Sequence, residues 1–229
     1  EEMVEKQKKF TADAAHELKT PLTTIKTDLE VNLRDKNLDL KKAKTVLEGT
    51  IKDIDSLTLL TNSLILQSKY QNFKNGKKDP INLKGLAQNV ISKLEPNAKE
   101  KDIKINLDAD DIKTKGDENS IRELLTILLD NAIKFSKKEG KIEISIKDKN
   151  NYAQISVKDN GAGIDEKDIP YIFDRFYKAD TSRSKNEVPG FGLGLSIAKE
   201  IVEMHGGKIS VKSKKNVGTK FLVKLPLIQ

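Results

Sequence analysis

Phe10, Ala14, Leu18, Leu22, Ile25, Leu29 and Leu33 recur at spacings of three and four within an otherwise charged stretch, the period of a helix with one apolar stripe. The spacing predicts a long first helix. Asp35-Lys36-Asn37 interrupts it, and a second stripe runs through Leu40, Ala43, Leu47, Ile51, Ile54, Leu57, Thr61 and Leu64. Together they read as a helical hairpin. A lone hairpin has one face to bury and too little core, so two copies are expected to pair as a dimeric four-helix bundle.

Residues 70–80, YQNFKNGKKDP, are polar and aperiodic and contain Gly76 and Pro80, which marks a linker. The expected division is a hairpin over 1–70, a linker over 71–80 and a second domain over 81–229. In that domain helix-like stretches (Leu83 to Lys99, Asn119 to Phe135, Leu193 to His205) alternate with strand-like ones (Ile103 to Leu107, Ile142 to Lys147, Ala153 to Lys158, Lys208 to Val211, Lys220 to Leu225). The fold class predicted is α+β: the hairpin, then an α/β sandwich with helices layered on one sheet.

Composition narrows the function. The net charge of +7 divides into +2 over residues 1–80, which hold 15 basic and 13 acidic side chains, and +5 over the rest. No basic stripe is visible along the chain, and only 5% of residues are aromatic, so nucleic acid is not expected as a partner. The lack of cysteine removes disulfides, thiolate catalysis and cysteine metal sites, and fits a reducing compartment. No apolar run approaches the roughly 20 residues that span a bilayer, so this stretch itself is expected to make no membrane contact. It opens at Glu1 directly into a charged helical pattern, as the excised part of a longer chain would.

His16 projects away from the apolar stripe on a helical wheel, with Thr20 one turn along on the same side. Glu17 beside it could accept a hydrogen bond from one ring nitrogen and leave the other unprotonated and nucleophilic. Pro21 lacks the N–H that would reach the Glu17 carbonyl, so a kink is expected there. Taken alone, His16 reads first as a surface histidine on a solvated face.

Asp159-Asn160-Gly161-Ala162-Gly163-Ile164 follows a strand, where a carboxylate and close-approach glycines could hold a nucleotide base; the same run also describes an ordinary polar turn. Gly190-Phe191-Gly192-Leu193-Gly194-Leu195 opens a helix whose backbone N–H groups suit phosphates, or is a flexible loop. Asn131 and Lys134 share one helix face, where an amide oxygen for Mg²⁺ and a cation for phosphate could converge, or simply meet solvent. His205 ends a helix before Gly206-Gly207, a dipole-favourable cap with no chemistry assigned.

The run FTADAAHELKTPL, from Phe10 to Leu22, closely resembles the phosphoacceptor box of sensor histidine kinases. NAIKFS, DNGAGI, FDRFYKAD and GFGLGLSIAKEIVEMHGG occur in the order and spacing of the histidine kinase ATP-binding domain, within the wider family of gyrase, Hsp90 and MutL. The resemblance runs from His16 to Thr219. It implies a homodimer that moves the γ-phosphoryl group of ATP onto His16, then onto an aspartate of a response regulator receiver domain, in the cytoplasmic portion of a membrane-anchored sensor. It further implies that Asn131 coordinates Mg²⁺, Lys134 contacts phosphate and Asp159 accepts a hydrogen bond from the adenine amino group. Phe135 would pack near the nucleotide, and Gly161, Gly163, Gly192, Leu193 and Gly194 would let the backbone approach it, with Ile164 and Leu195 completing the two runs and Thr219 near Asp159. Lys178 would be a lid cation at the phosphates, with a polar lid between it and Gly190. Thr20 resembles the residue that positions water for a phosphatase step.

Ile127 departs from the family pattern, in which many members place a second Asn one turn before Asn131; the departure leaves room for a weaker or a differently completed Mg²⁺ shell. Gyrase-like ATPases place a glutamate there to activate water, and isoleucine cannot act as a base, so hydrolysis is disfavoured against transfer to a side chain. Two rivals remain: a partner-binding module that has lost turnover, and a mechanical ATPase.

Overall fold

The computed structural model describes residues 2–35, 38–72, 79–178 and 191–227. They form two compact units, Glu1–Gln67 and Ser68–Val188 with Gly192–Gln229. The first is the hairpin of α1 (Glu2–Arg34) and α2 (Leu40–Asn72). α1 continues through Pro21, and Thr20 Oγ1 donates to the His16 carbonyl at 3.2 Å, Thr24 Oγ1 to that of Thr20 at 3.2 Å. Asp39 starts α2 by accepting the Lys42 N–H at 2.7 Å, as a short polar side chain does at a helix start.

Among the described side chains of the hairpin, Leu60 alone is fully buried. Leu22, Val31, Leu33, Leu40, Leu47, Ile51, Ile54 and Ile65 are all exposed. Much of the expected stripe thus lacks cover within one chain.

The second unit is a two-layer sandwich. Its five-stranded sheet has the order β2-β4-β5-β7-β6, built from Lys104–Ala109, Lys141–Lys149, Tyr152–Asp159, Gly218–Pro226 and Lys208–Lys214 respectively. β2 runs parallel to β4 and the remaining pairs are antiparallel, which makes the sheet mixed. Asn150 and Asn151 turn β4 into β5 with φ of 55° and 63°. Consecutive left-handed residues fit the right-handed twist of a tight hairpin, and Asn tolerates that region.

Period-two alternation sends Ile142, Ile144, Ile146, Ala153, Ile155, Val157, Phe221, Val223 and Leu225 into the core. Three helices cover that face: α3 (Leu83–Lys99), α4 (Glu118–Phe135) and α5 (Gly194–Met204), with α4 in contact with both others. Leu124, Leu128, Leu129 and Ile121 of α4 are essentially inaccessible, each contributing about 1.5–3 kcal/mol by burial. Asn82 and Asp117 cap α3 and α4 by accepting the N–H of the third residue on, from Gly85 at 2.9 Å and Ser120 at 2.7 Å.

A small sheet of β1 (Asp79–Asn82) with β3 (Lys113–Gly116) was not expected from the sequence. Four-residue strands rich in Lys, Asp and Pro carry no readable alternation; Ile81 and Thr114 supply the buried positions. α2 extends to Asn72 and β1 starts at Asp79, so regular structure takes up 71–72 and 79–80 of the expected linker; residues 73–78 lie outside the described ones.

His205 stands at the C-cap of α5, as the sequence suggests, and does more than close the helix. It is buried, its Nε2 accepts the Asp117 N–H at 3.1 Å, and its Nδ1 lies 2.7 Å from the Ile201 carbonyl. An acceptor Nε2 carries no proton, so the ring is neutral and joins α5 to the start of α4.

Candidate functional site

The carboxylate of Asp159 ends β5 on the helix-covered face, with 6% of its surface exposed. Its Oδ1 accepts the N–H of Gly161 at 2.8 Å and of Thr219 at 3.2 Å. Burial raises its pKa above the ordinary aspartate value, and those backbone N–H groups oppose the rise. Among the described residues no hydrogen bond ends on Oδ2. The result is a carboxylate fixed in orientation with one oxygen to offer.

Around it the chain approaches itself closely. The Ala162 N–H donates to the Phe135 carbonyl at 3.0 Å, and a Cβ on Gly161 would lie 2.2 Å from that same oxygen. Gly163, at φ +65°, stands against the Lys214 carbonyl, and Gly218, at φ +137°, against that of Asp159. These turns require glycine for the fold itself. Ser213 Oγ contacts the Ile164 N–H at 2.8 Å, the Gly218 carbonyl at 2.9 Å and Thr219 Oγ1 at 2.8 Å.

α4 brings its C-terminal turn to this cluster. Asn131 is half-buried there, Phe135 is 41% exposed, and Lys134 Nζ sits 2.6 Å from Asp130. Lys101, between α3 and β2, donates to the carbonyls of Ile133 at 3.1 Å and Lys134 at 2.8 Å, which fastens the helix end. Ile127, one turn before Asn131, faces the start of α5: its Cγ2 would lie 3.4 Å from a Cβ on Gly194.

α5 begins at Gly194 after Leu193, whose side chain is fully buried, and among the described residues no side chain caps its first turn. Its leading N–H groups therefore remain to be satisfied by another acceptor. Gly192, at φ +71°, packs against the backbone of Phe176 and Tyr177, a Cβ there lying 2.5 Å from the Tyr177 carbonyl. The chain on either side of 179–190 is thus held together; the expected lid, from beyond Lys178 to Gly190, lies outside the described residues. Lys178 and Leu195 are half-buried.

In the helical unit His16 and Thr20 are both exposed on α1. Glu17 lies on the same helix, and its side chain is outside the described ones.

Two domain families match this chain: the His Kinase A (phospho-acceptor) domain over residues 6–73 and the histidine kinase-, DNA gyrase B- and HSP90-like ATPase over residues 116–229. The sensor histidine kinase YkoH of Bacillus subtilis (strain 168) is 42% identical over 222 residues, covering 95% of this chain and 47% of its own length. The chain belongs to the sensor histidine kinases.

Staphylococcus aureus ArlS, a signal transduction histidine-protein kinase, adds 33% identity over 97% of this chain and 49% of its own. The chain thus spans about half the length of these curated relatives. The crystal structure of histidine kinase ThkA in complex with response regulator protein TrrA superposes with a TM-score of 0.76 at 25% identity, covering 96% of this chain and 61% of that one.

In this histidine kinase, Asp159, Gly161, Thr219 and, through Ser213, Ile164 form one hydrogen-bonded cluster, which Ala162 ties to the end of α4, while Gly163 packs against the Lys214 carbonyl without a hydrogen bond of its own in the cluster. Lys134 is turned along its helix to Asp130 instead of outward. The sequence reading missed Lys101 and Ser213, which hold the frame of that cluster. Nothing in the local pattern marks Lys101, since it acts across 32 residues; Ser213 is a small polar residue in a lysine-rich strand and becomes informative only once its register is known.

Proposed function

We propose that this chain is the catalytic core of a dimeric sensor histidine kinase that transfers the γ-phosphoryl group of ATP to His16, then to an aspartate of a response regulator receiver domain. Residues 1–70 would dimerise and carry the phosphoacceptor, 71–80 would link, and 81–229 would bind ATP. The observation that carries this reading is the Asp159 carboxylate. Its Oδ1 is tied to two backbone N–H groups, which leaves Oδ2 for the adenine amino group, a directional contact of the charge-assisted kind.

Phosphates would meet the uncapped start of α5 at Gly194 and Leu195, with Gly192 and Leu193 shaping the approach and Lys178 as a cation. Phe135, exposed beside Asp159, would cover the base. Mg²⁺ keeps several waters and takes few protein ligands beside substrate phosphates. A single amide oxygen from half-buried Asn131 fits that demand, and no group of three or more metal-ligating side chains occurs among the described residues. Mg²⁺ bound there would neutralise charge on the phosphates.

The unprotonated nitrogen of His16 attacks the γ-phosphorus in line. An N–P bond forms as the bond to the β–γ bridging oxygen breaks, ADP leaves, and the proton on the other ring nitrogen passes to the Glu17 carboxylate, which also orients the ring. Thr20, whose hydroxyl donates to the His16 carbonyl, would turn to hold water for dephosphorylation of that regulator. The cytoplasmic part of a membrane-anchored sensor is the placement proposed, supported by the greater length of the curated relatives.

Incubation with labelled ATP and Mg²⁺ tests the reading: the label should be acid-labile and base-stable, as a phosphoramidate is. His16→Ala should abolish it and leave ATP affinity unchanged. Label retained on His16→Ala would overturn the assignment.

A further inference from the structure

β6 and β7 together carry Lys208, Lys212, Lys214, Lys220 and Lys224 and no acidic residue. Alternation turns Ile209, Val211, Phe221, Val223 and Leu225 toward the helices, so the five lysines share the open face of the sheet. Register then sets Lys208 directly opposite Lys224, and Lys212 opposite Lys220. Across β7, Lys220 also stands opposite Lys158 of β5. The sequence hides this arrangement, because the lysines of one row come from positions 158, 212 and 220.

Like charges directly opposite across a strand pair destabilise a sheet, and two such pairs stand on this face, with the Ser210–Leu222 pair between them. The acids of this face lie toward its other edge: Glu143 meets Lys158 at 3.3 Å, and Asp108 and Asp110 meet Lys147 at 2.6 and 2.9 Å. No ion pair is made by Lys208, Lys212, Lys220 or Lys224 among the described residues. An arrangement that weakens the isolated sheet calls for an anion from outside.

We propose that this open face docks on a bilayer of anionic lipid. Strands about 4.8 Å apart present the ammonium groups to one plane, so a flat charged surface meets them together within a Debye length of about 8 Å. All the cations are lysines, point charges suited to diffuse attraction, without the planar fork of arginine that selects individual phosphates. Tyr152, 42% exposed, lies on the same face opposite Pro226, and its amphipathic ring suits the headgroup level. A nucleic acid fits less well, since among the described residues this face presents Tyr152 but no row of exposed aromatics to stack bases.

Flotation of the full chain with vesicles tests this. Binding is expected to vesicles containing phosphatidylglycerol, not to pure phosphatidylcholine, and is lost on raising salt. Lys212→Gln with Lys220→Gln should lower partitioning about thirty-fold, as should Lys208→Gln with Lys224→Gln. Lys41→Gln with Lys44→Gln removes the same charge from exposed positions of α2 and should leave partitioning unchanged. Both face variants should melt at or above the parent temperature, because each removes a like-charge pair, which separates lost charge from lost fold. No binding to anionic vesicles, an equal loss in the α2 variant, or tighter binding to a mixed-sequence DNA duplex at the same salt would each overturn the proposal.

Discussion

At the scale of residues, Asp159 carries a cost in stability that its proposed contact with adenine would account for. Its folded pKa lies above the ordinary aspartate value because burial disfavours the charged form. The folded state therefore binds more protons than the unfolded one between those two values, and stability falls as pH rises through that window. At neutral pH the charged carboxylate is a cost to the fold. Asp159→Asn keeps an oxygen for the Gly161 and Thr219 N–H groups, so it should melt at or above the parent temperature at pH 7, with the gain shrinking toward the ordinary aspartate range. Its affinity for ATP should fall about ten- to a hundred-fold, the worth of a hydrogen bond to a charged group, as read by calorimetric titration. Gly161→Ala should behave differently, since its Cβ would meet the Phe135 carbonyl at 2.2 Å. A loss of about 1–3 kcal/mol in denaturant unfolding is expected, together with weaker ATP binding.

Among the elements, α4 carries Asn131, Lys134 and Phe135 in its last turns, and both its ends are fastened from elsewhere. His205 accepts the N–H of its cap residue Asp117, and Lys101 binds the carbonyls of Ile133 and Lys134. Lys101→Met should lower unfolding free energy by about 0.5–1.5 kcal/mol. If Lys101 positions the helix end, ATP affinity also falls, and Lys101→Arg, which keeps a cation for the carbonyls, restores part of it. Unchanged ATP affinity in Lys101→Met would show that the bond serves the fold alone.

For the whole molecule, the hairpin leaves Leu47, Ile51 and Ile54 at 58%, 58% and 50% exposure on α2, and Leu22 at 54% on α1. Apolar area of that extent is normally covered by a partner, and a second copy offers the same stripe by symmetry. Sedimentation of the full chain should give a dimer, and Leu47→Glu with Ile54→Glu should give a monomer that still binds ATP. A parent chain that stays monomeric at micromolar concentration contradicts this.

Much of this protein was legible in its sequence, because local physics wrote it there. The apolar periods of α1 through α5 and the alternation of the five sheet strands follow from burying one face of each element, and the His16 box and the glycine runs are contiguous. β1 and β3 were not legible, since four-residue strands carry too few positions to show a period. Strand order, the neutral state of His205, the anchoring of α4 by Lys101 and the gathering of lysines onto one face are different in kind. Each joins residues far apart in the chain, and only strand register and helix docking decide which of them meet.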